Sequence, residues 1–465
     1  MKSSLQAHWP DSGIFRGRVA LCLGLMFAPS ATLACALPPS VILTLPTGHY
    51  ITAAALTVAL TALLGAAAGH MPAMTARVLW DRRVLVPVVA SSYLSFLAFL
   101  GLILIGFLGS RDPMHNLMTL VFWTGVWIVV PLGSVVFGNL WRPINPWTGP
   151  VRIARVLLRR KGGVGLSRLG HWPAVGFYGW FIWFQMISLY PDDPSVLAQA
   201  AATYWALVFV LTVAEGEDWL DRGEFLTVLF GFVAKISPFW LEVKAGRALM
   251  MAGWPGAQVV RMPGLQRSAR VFVALALAAL TFEGLNETFW WQALIGQNPL
   301  EPVGRSAVVW QNAAGLVAVF ALTVLALWAG MALGRRLSGG VFRADRVMLS
   351  FLAIASGYHA AHYLVMLLTA GQYTIAALND PFFTGDSWLG LPPFYVSFGF
   401  LSDARVMPLI YGAQFLAILG AHLLAVMLAL RLAGPVRARA HLPLTGLMVG
   451  YTVLGLWLLS TARVG

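Results

Sequence analysis

From Tyr50 to Leu459 the chain alternates long apolar runs with short polar connections. Ten runs read as membrane-spanning helices: Tyr50–Gly69, Leu85–Gly109, Leu117–Phe137, Trp172–Tyr190, Val196–Ala214, Val271–Trp291, Ala307–Leu333, Val347–Ala370, Val406–Leu430 and Leu442–Leu459. Most reach the roughly 20 residues that a helix needs to cross about 30 Å of hydrocarbon. The runs lack the every-second-residue alternation of a barrel strand, and an open sheet edge in lipid leaves backbone groups unpaired. The pattern predicts an all-α integral membrane protein, a bundle of about ten helices forming one domain over residues 37–465.

The polar connections set its orientation. Of the 31 Lys and Arg, 24 fall in every second connection, in the loops that follow the first, third, fifth, seventh and ninth spans. Only Arg111, Arg305, Arg405 and Arg463 lie on the other side, and Lys2, Arg16 and Arg18 precede the first span. Basic loops stay inside. The expectation is therefore a multi-pass protein of the bacterial inner membrane with both mature termini on the exoplasmic side. Trp80, Trp141, Trp147, Trp172, Tyr190, Trp290 and Trp291 near span ends fit an interfacial aromatic belt.

Composition narrows the partners. Hydrophobic residues make up 59% and charged residues 11%, far from the balance of a soluble domain. The net charge of +13 sits in juxtamembrane loops and not on one soluble face, so it argues for an anionic lipid surface and against nucleic acid. At the N-terminus, Arg16 and Arg18, the apolar run Val19–Phe27 and Ala34-Cys35-Ala36 describe a signal peptide over residues 1–36. The only cysteines, Cys22 and Cys35, lie in or beside it, so the mature chain is expected to carry no disulfide.

Two basic-side loops are long. In 138–171 a tryptophan-flanked Trp141-Arg142-Pro143-Ile144-Asn145-Pro146-Trp147 precedes a basic amphipathic segment suited to the interface. In 215–270 an acidic start (Glu215, Glu217, Asp218, Asp221, Glu224) precedes Phe225–Val233, which is too short to cross and reads as interfacial or re-entrant. The acids fit a cation site or a solvated helix start. On the opposite side, 371–403 is rich in aromatics, Gly and Pro, as a lid or entrance loop is.

Ionisable groups inside spans are expensive and are functional candidates by default. They are Glu283, His359, His362 and His422. His359 and His362 lie three residues apart, toward one helix face, and supply half of a tetrahedral metal site. Glu283 falls at nearly the depth of His359, twelve residues into its own span, while His422 sits nearer the inner side. One reading is a centre in which Glu283, His359, His362 and His422 bind a divalent metal ion. Another is hydrogen bonding between helices, including a network with Tyr358 and Tyr363.

Several motifs in order carry a resemblance: Phe137-Gly138-Asn139-Leu140-Trp141-Arg142-Pro143-Ile144-Asn145-Pro146-Trp147, Ala234-Lys235-Ile236-Ser237-Pro238, Tyr358-His359-Ala360-Ala361-His362-Tyr363, Asn379-Asp380-Pro381-Phe382 and Ala421-His422-Leu423-Leu424-Ala425-Val426. In these the chain, from about Leu45 onward, resembles the bacterial polytopic membrane proteins known as fenitrothion hydrolases. It departs from them at Leu430, near where that pattern carries a further histidine. The resemblance implies hydrolysis of apolar organophosphorus triesters. His359, His362 and Glu283 would be its catalytic groups, with a metal-bound water as nucleophile. No Gly-x-Ser-x-Gly, His-Glu-x-x-His or phosphate-binding glycine loop competes. The alternative is a transporter of a small molecule or metal ion, in which the same four residues line a path.

Overall fold

The computed structural model describes residues 47–461, apart from 70, 72, 84–86, 245, 302, 393 and 394. The leader expected over residues 1–36 lies outside the described residues. Nine helices among the described residues are long and apolar enough to cross a membrane. They are α1 (Thr47–Ala68), α2 (Val88–Leu108), α3 (Leu117–Phe137), α6 (Pro194–Glu215), α8 (Arg267–Asn286), α10 (Val309–Leu337), α11 (Phe351–Asn379), α12 (Met407–Leu432) and α13 (Leu442–Ser460). Between them lie three shorter helices: α4 (Thr148–Leu157), α5 (Trp172–Met186) and α7 (Phe225–Val233). A further short helix, α9 (Phe289–Leu294), follows α8.

The fourth apolar run is shorter than its sequence suggests. At 15 residues, α5 is about 22 Å long and stops at Met186 instead of Tyr190. Its backbone enters beside the start of α8, where His171 N–H donates to Ser268 Oγ at 3.0 Å. The chain then continues without helix to Asp193, whose carboxylate lies 3.6 Å from Arg111 at the far end of the bundle.

The basic loops lie together on one face. Backbone N–H groups of Gly165, Leu166 and Ser167 donate to the Glu215 carboxylate, Leu265 N–H donates to Asp345 O, and Arg343 N–H donates to Ala433 O. On the same face is an element that an all-α reading did not foresee. Strands β1 (Ala76–Arg83), β2 (Phe239–Lys244) and β3 (Arg247–Gly253) form an antiparallel sheet in the order β1-β3-β2. Its residues come from two separate basic loops, so no single run carries its signal. Trp240 and Met251 pair on the face that is buried.

The acidic start of the 215–270 loop is structural. Glu217 pairs with Arg152 of α4 at 3.0 Å. Glu224 caps α7, accepting from Leu226 N, Thr227 N, Thr227 Oγ1 and Tyr204 OH. Thr227 Oγ1 in turn accepts from Trp141 Nε1 at 3.1 Å and Asn145 Nδ2 at 3.3 Å, which ties the tryptophan-flanked motif to α7. The start of α7 is thereby buried inside the protein, the condition under which irregular backbone is tolerated at membrane depth.

Helix α8 is the axis of the fold. It is buried on nearly every side from Ser268 to Gly284, as a helix apolar all round should be. Outer helices show the reverse. Leu94, Leu97, Leu100 and Leu104 on α2, and Leu322, Leu325 and Trp328 on α10, stay exposed, a surface suited to lipid.

Candidate buried acid–base site

Glu283 lies one turn before the end of α8, only 8% exposed. The sixth apolar run does not continue to Trp291. It breaks at Asn286, and Thr288 starts α9 by accepting from Trp291 N at 3.1 Å.

Three side chains converge on one oxygen of this carboxylate. Tyr363 OH of α11 donates to Glu283 Oε1, and Gln185 Nε2 of α5 donates to it at 2.7 Å. His362 Nε2 stands 3.8 Å away, and its side chain is 6% exposed. The Tyr363 oxygen also accepts from Trp127 Nε1 at 2.7 Å and Gln185 Nε2 at 3.0 Å. The phenol proton therefore points to the carboxylate while two donors steady its oxygen.

His359 turns elsewhere. Its Nε2 lies 3.0 Å from the carbonyl of Trp127. That carbonyl is open because Pro131, four residues on, has no N–H to give it. The surrounding stretch of α3, Val121–Val129, is wound as a wider π turn, a feature common at functional sites. A carbonyl only accepts, so Nε2 carries the imidazole hydrogen and Nδ1 is left as an acceptor.

Position by position, the four sequence candidates separate. Glu283 meets His362, with Tyr363 between helices, and not His359. Residues three apart on a helix point roughly 60° apart, enough for His359 to face α3 while His362 faces α8. His422 directs Nδ1 to the Ile418 carbonyl of its own helix at 2.8 Å. Its buried Nε2 has no hydrogen-bond partner among the described residues. Among the described residues no three His, Cys, Asp or Glu side chains come together as a metal would need. The donors of the expected centre do not fit a shared ion in this arrangement; the contacts formed are those of inter-helix hydrogen bonding. Gln185, Trp127 and Arg305 were not among the sequence candidates, because uncharged groups and a loop arginine gave no signal of their own.

Arg305 closes the site on the side away from the basic loops. Its Nη1 donates to the carbonyls of Gln185 at 3.0 Å and Ser188 at 3.1 Å, which satisfies the early end of α5. Toward the basic face a narrow cleft of about 30 Å³ lies between α3, α5, α7, α8 and α11. Its walls are apolar (Leu132, Leu229, Val233, Ala276 and Leu280 among them), and Trp127 and His359 form its boundary with the Glu283 network. Comparison with family models, curated proteins and solved structures finds no match to this chain.

Proposed function

We propose that this chain is a membrane-embedded hydrolase of apolar, uncharged organophosphorus triesters, with Glu283 as general base. The observation that carries the reading is the convergence of Tyr363, Gln185 and His362 on a single buried carboxylate oxygen. Such a carboxylate is held in position by donors and can exchange a proton with the phenol that touches it. The motifs shared with the fenitrothion hydrolases support the substrate class, and a triester that partitions into the bilayer suits an apolar surround.

In this mechanism water gives a proton to Glu283 as its oxygen attacks phosphorus. The bond from phosphorus to the aryloxy oxygen breaks, and the departing phenolate takes up the proton. Tyr363 holds and passes that proton, Gln185 and Trp127 orient Tyr363, and His362 balances the charge on Glu283. No step here is routed through a metal. The proposal places the chain in the bacterial inner membrane with ten crossings, the fourth made by α5 and the segment after it. Both mature termini would then be exoplasmic, an arrangement the loop charges support.

The test is release of nitrophenolate from a 4-nitrophenyl dialkyl phosphotriester by the purified full chain in lipid. Glu283→Gln should lower the rate at least about 100-fold, as loss of a general base does. Glu283→Asp, which keeps a retracted carboxylate, should recover part of it. Equal release by the parent and Glu283→Gln, or none by the parent, rejects the reading. A second reading, transport, draws on α5 and α8 ending beside the site, since broken helices often frame transported ligands. Counterflow of intact triester across vesicles, without release, would favour it.

A further inference from the structure

We infer that the outward face of the three-stranded sheet is a docking surface for anionic phospholipid, in the leaflet on the basic side of the bundle. The strand register sorts the sheet's side chains, since residues paired across strands share a face. On one face Trp240 pairs with Met251, and both are buried. A Cβ on Gly138, at the end of α3, would stand 2.9 Å from Trp240 Cβ, so this face packs on the bundle. The other face carries three rows running from β2 through β3 to β1: Phe239 to Arg77, Leu241 to Trp80 and Val243 to Arg82. Its apolar residues stay open, at 37% exposure for Phe239, 52% for Leu241, 49% for Val243 and 41% for Trp80. An antiparallel strand with one wet face normally turns its polar residues to the water. Here β2 turns a continuous apolar row outward instead.

Charge says what covers that row. The sheet's two acids lie on the opposite face and are paired within the sheet, Asp81 with Arg247 at 2.8 Å and Glu242 with Lys244 at 2.6 Å. The outward face holds no acid, and Arg77 and Arg82 are exposed on it. A guanidinium matches a phosphate oxygen pair, while Trp and aliphatic side chains suit the boundary between headgroups and acyl chains. Position points the same way. Strand β1 is strung between α1, which ends at Ala68, and α2, which opens at Val88. Both helices turn leucines outward, among them Leu60 and Leu64 on α1 and Leu94 and Leu97 on α2. The link before β1 is pinned by Arg431 of α12, which donates to Met71 O at 3.2 Å. From Arg83 to Val88 the chain reaches at most about 17 Å, so the strand stays near the headgroup layer. The inference does not depend on hydrolysis.

Spin labelling of the full chain in lipid nanodiscs tests it. The label sits at Leu241→Cys, with Cys22→Ser and Cys35→Ser removing the other thiols. Collisions with oxygen report lipid, and collisions with a water-soluble nickel complex report water; Leu322→Cys on α10 serves as the lipid-facing reference. As phosphatidylglycerol replaces phosphatidylcholine, the Leu241 label should pass from open to nickel to shielded from it. Arg82→Gln should raise the phosphatidylglycerol share needed for half shielding about fivefold, the worth of one arginine at ~1 kcal/mol. With Arg77→Gln added, the shielding should be lost. A label open to nickel in every mixture overturns the inference and leaves the face to a peripheral protein. Shielding that is equal with and without phosphatidylglycerol overturns it as well, because lipid charge then plays no part. So does an unchanged response in the double arginine variant.

Discussion

Removing the Tyr363 hydroxyl tests the centre of the structure. In Tyr363→Phe the buried Trp127 Nε1 loses its acceptor, and Glu283 Oε1 loses one of its donors but keeps Gln185. An orphaned buried donor costs about 1–3 kcal/mol, and the carboxylate's loss adds to it. In a bilayer the unfolded helices find other partners, so measured hydrogen-bond couplings average ~0.6 kcal/mol and reach ~1.7. Both members of this pair are nearly sealed, with Trp127 at 4% and Tyr363 at 4% exposure, which places the pair toward the upper figure. The expected destabilisation of Tyr363→Phe is about 2 kcal/mol. The expected Tyr363–Trp127 coupling, from a double-mutant cycle with Trp127→Phe, is about 1–1.5 kcal/mol. Detergent-denaturant unfolding of all four proteins, followed by far-ultraviolet circular dichroism, supplies the numbers. A coupling within about 0.5 kcal/mol of zero means that the two rings are merely packed together, and the network then has no energetic reality.

Two further outcomes follow from other parts of the molecule. Gly357 lies where α11 meets α12, and a Cβ there would stand 2.2 Å from Ala421 Cβ and 2.6 Å from the Ala417 carbonyl. Gly357→Ala should cost about 1–3 kcal/mol in the same unfolding assay, and adding Ala421→Gly should restore only part of it because the backbone contact remains; a neutral Gly357→Ala would show that the two helices do not approach this closely. His171, on the basic face, is held below the ordinary imidazole value of 6.5 by burial first and by Arg222 second. The folded state thus favours its neutral form, so its contribution is present above that value and is lost as pH falls below it. His171→Gln should flatten the stability profile between about pH 7 and 5 relative to the parent; parallel profiles would remove His171 from the balance.

Much of the architecture was readable because lipid imposes a simple code. Nine apolar runs appear as helices near their expected positions, and charge alternation anticipated the shared basic face. The misreadings have local causes. Hydropathy carried the sixth run through Asn286-Glu287-Thr288 to Trp291, although Thr288 followed three residues later by a tryptophan N–H is a helix start. The sheet was hidden because β1 pairs with β3 across more than 160 residues of sequence. At the site, Glu283 and His362 could be named because charge in a span is conspicuous. Gln185 could not, since a single amide in an apolar run has no neighbour in sequence to show that it meets Glu283. The shared metal centre was a spacing argument, and spacing along one helix does not say which neighbouring helix each imidazole will face.

The placement of the irregular backbone gives the strongest reason to regard this region as functional. Three departures from regular helix border one spot: the π turn before Pro131 in α3, the end of α5 at Met186, and the end of α8 at Asn286. Each exposes backbone groups that, at membrane depth, cost several kcal/mol if unpaired. A fold selected only for stability would run straight helices through this layer. Here separate side chains satisfy the openings instead. His359 takes the Trp127 carbonyl, Arg305 takes those of Gln185 and Ser188, and Thr288 caps the restart. Two of these three come from elements remote in sequence, so the openings are supported from outside their own helices. What the interruptions make room for is the Glu283 network on one side of Trp127 and the apolar cleft on the other. A carboxylate held at membrane depth by donors from two other helices, with regular helix interrupted around it, is costly to build, and a purely structural bundle has no need of it.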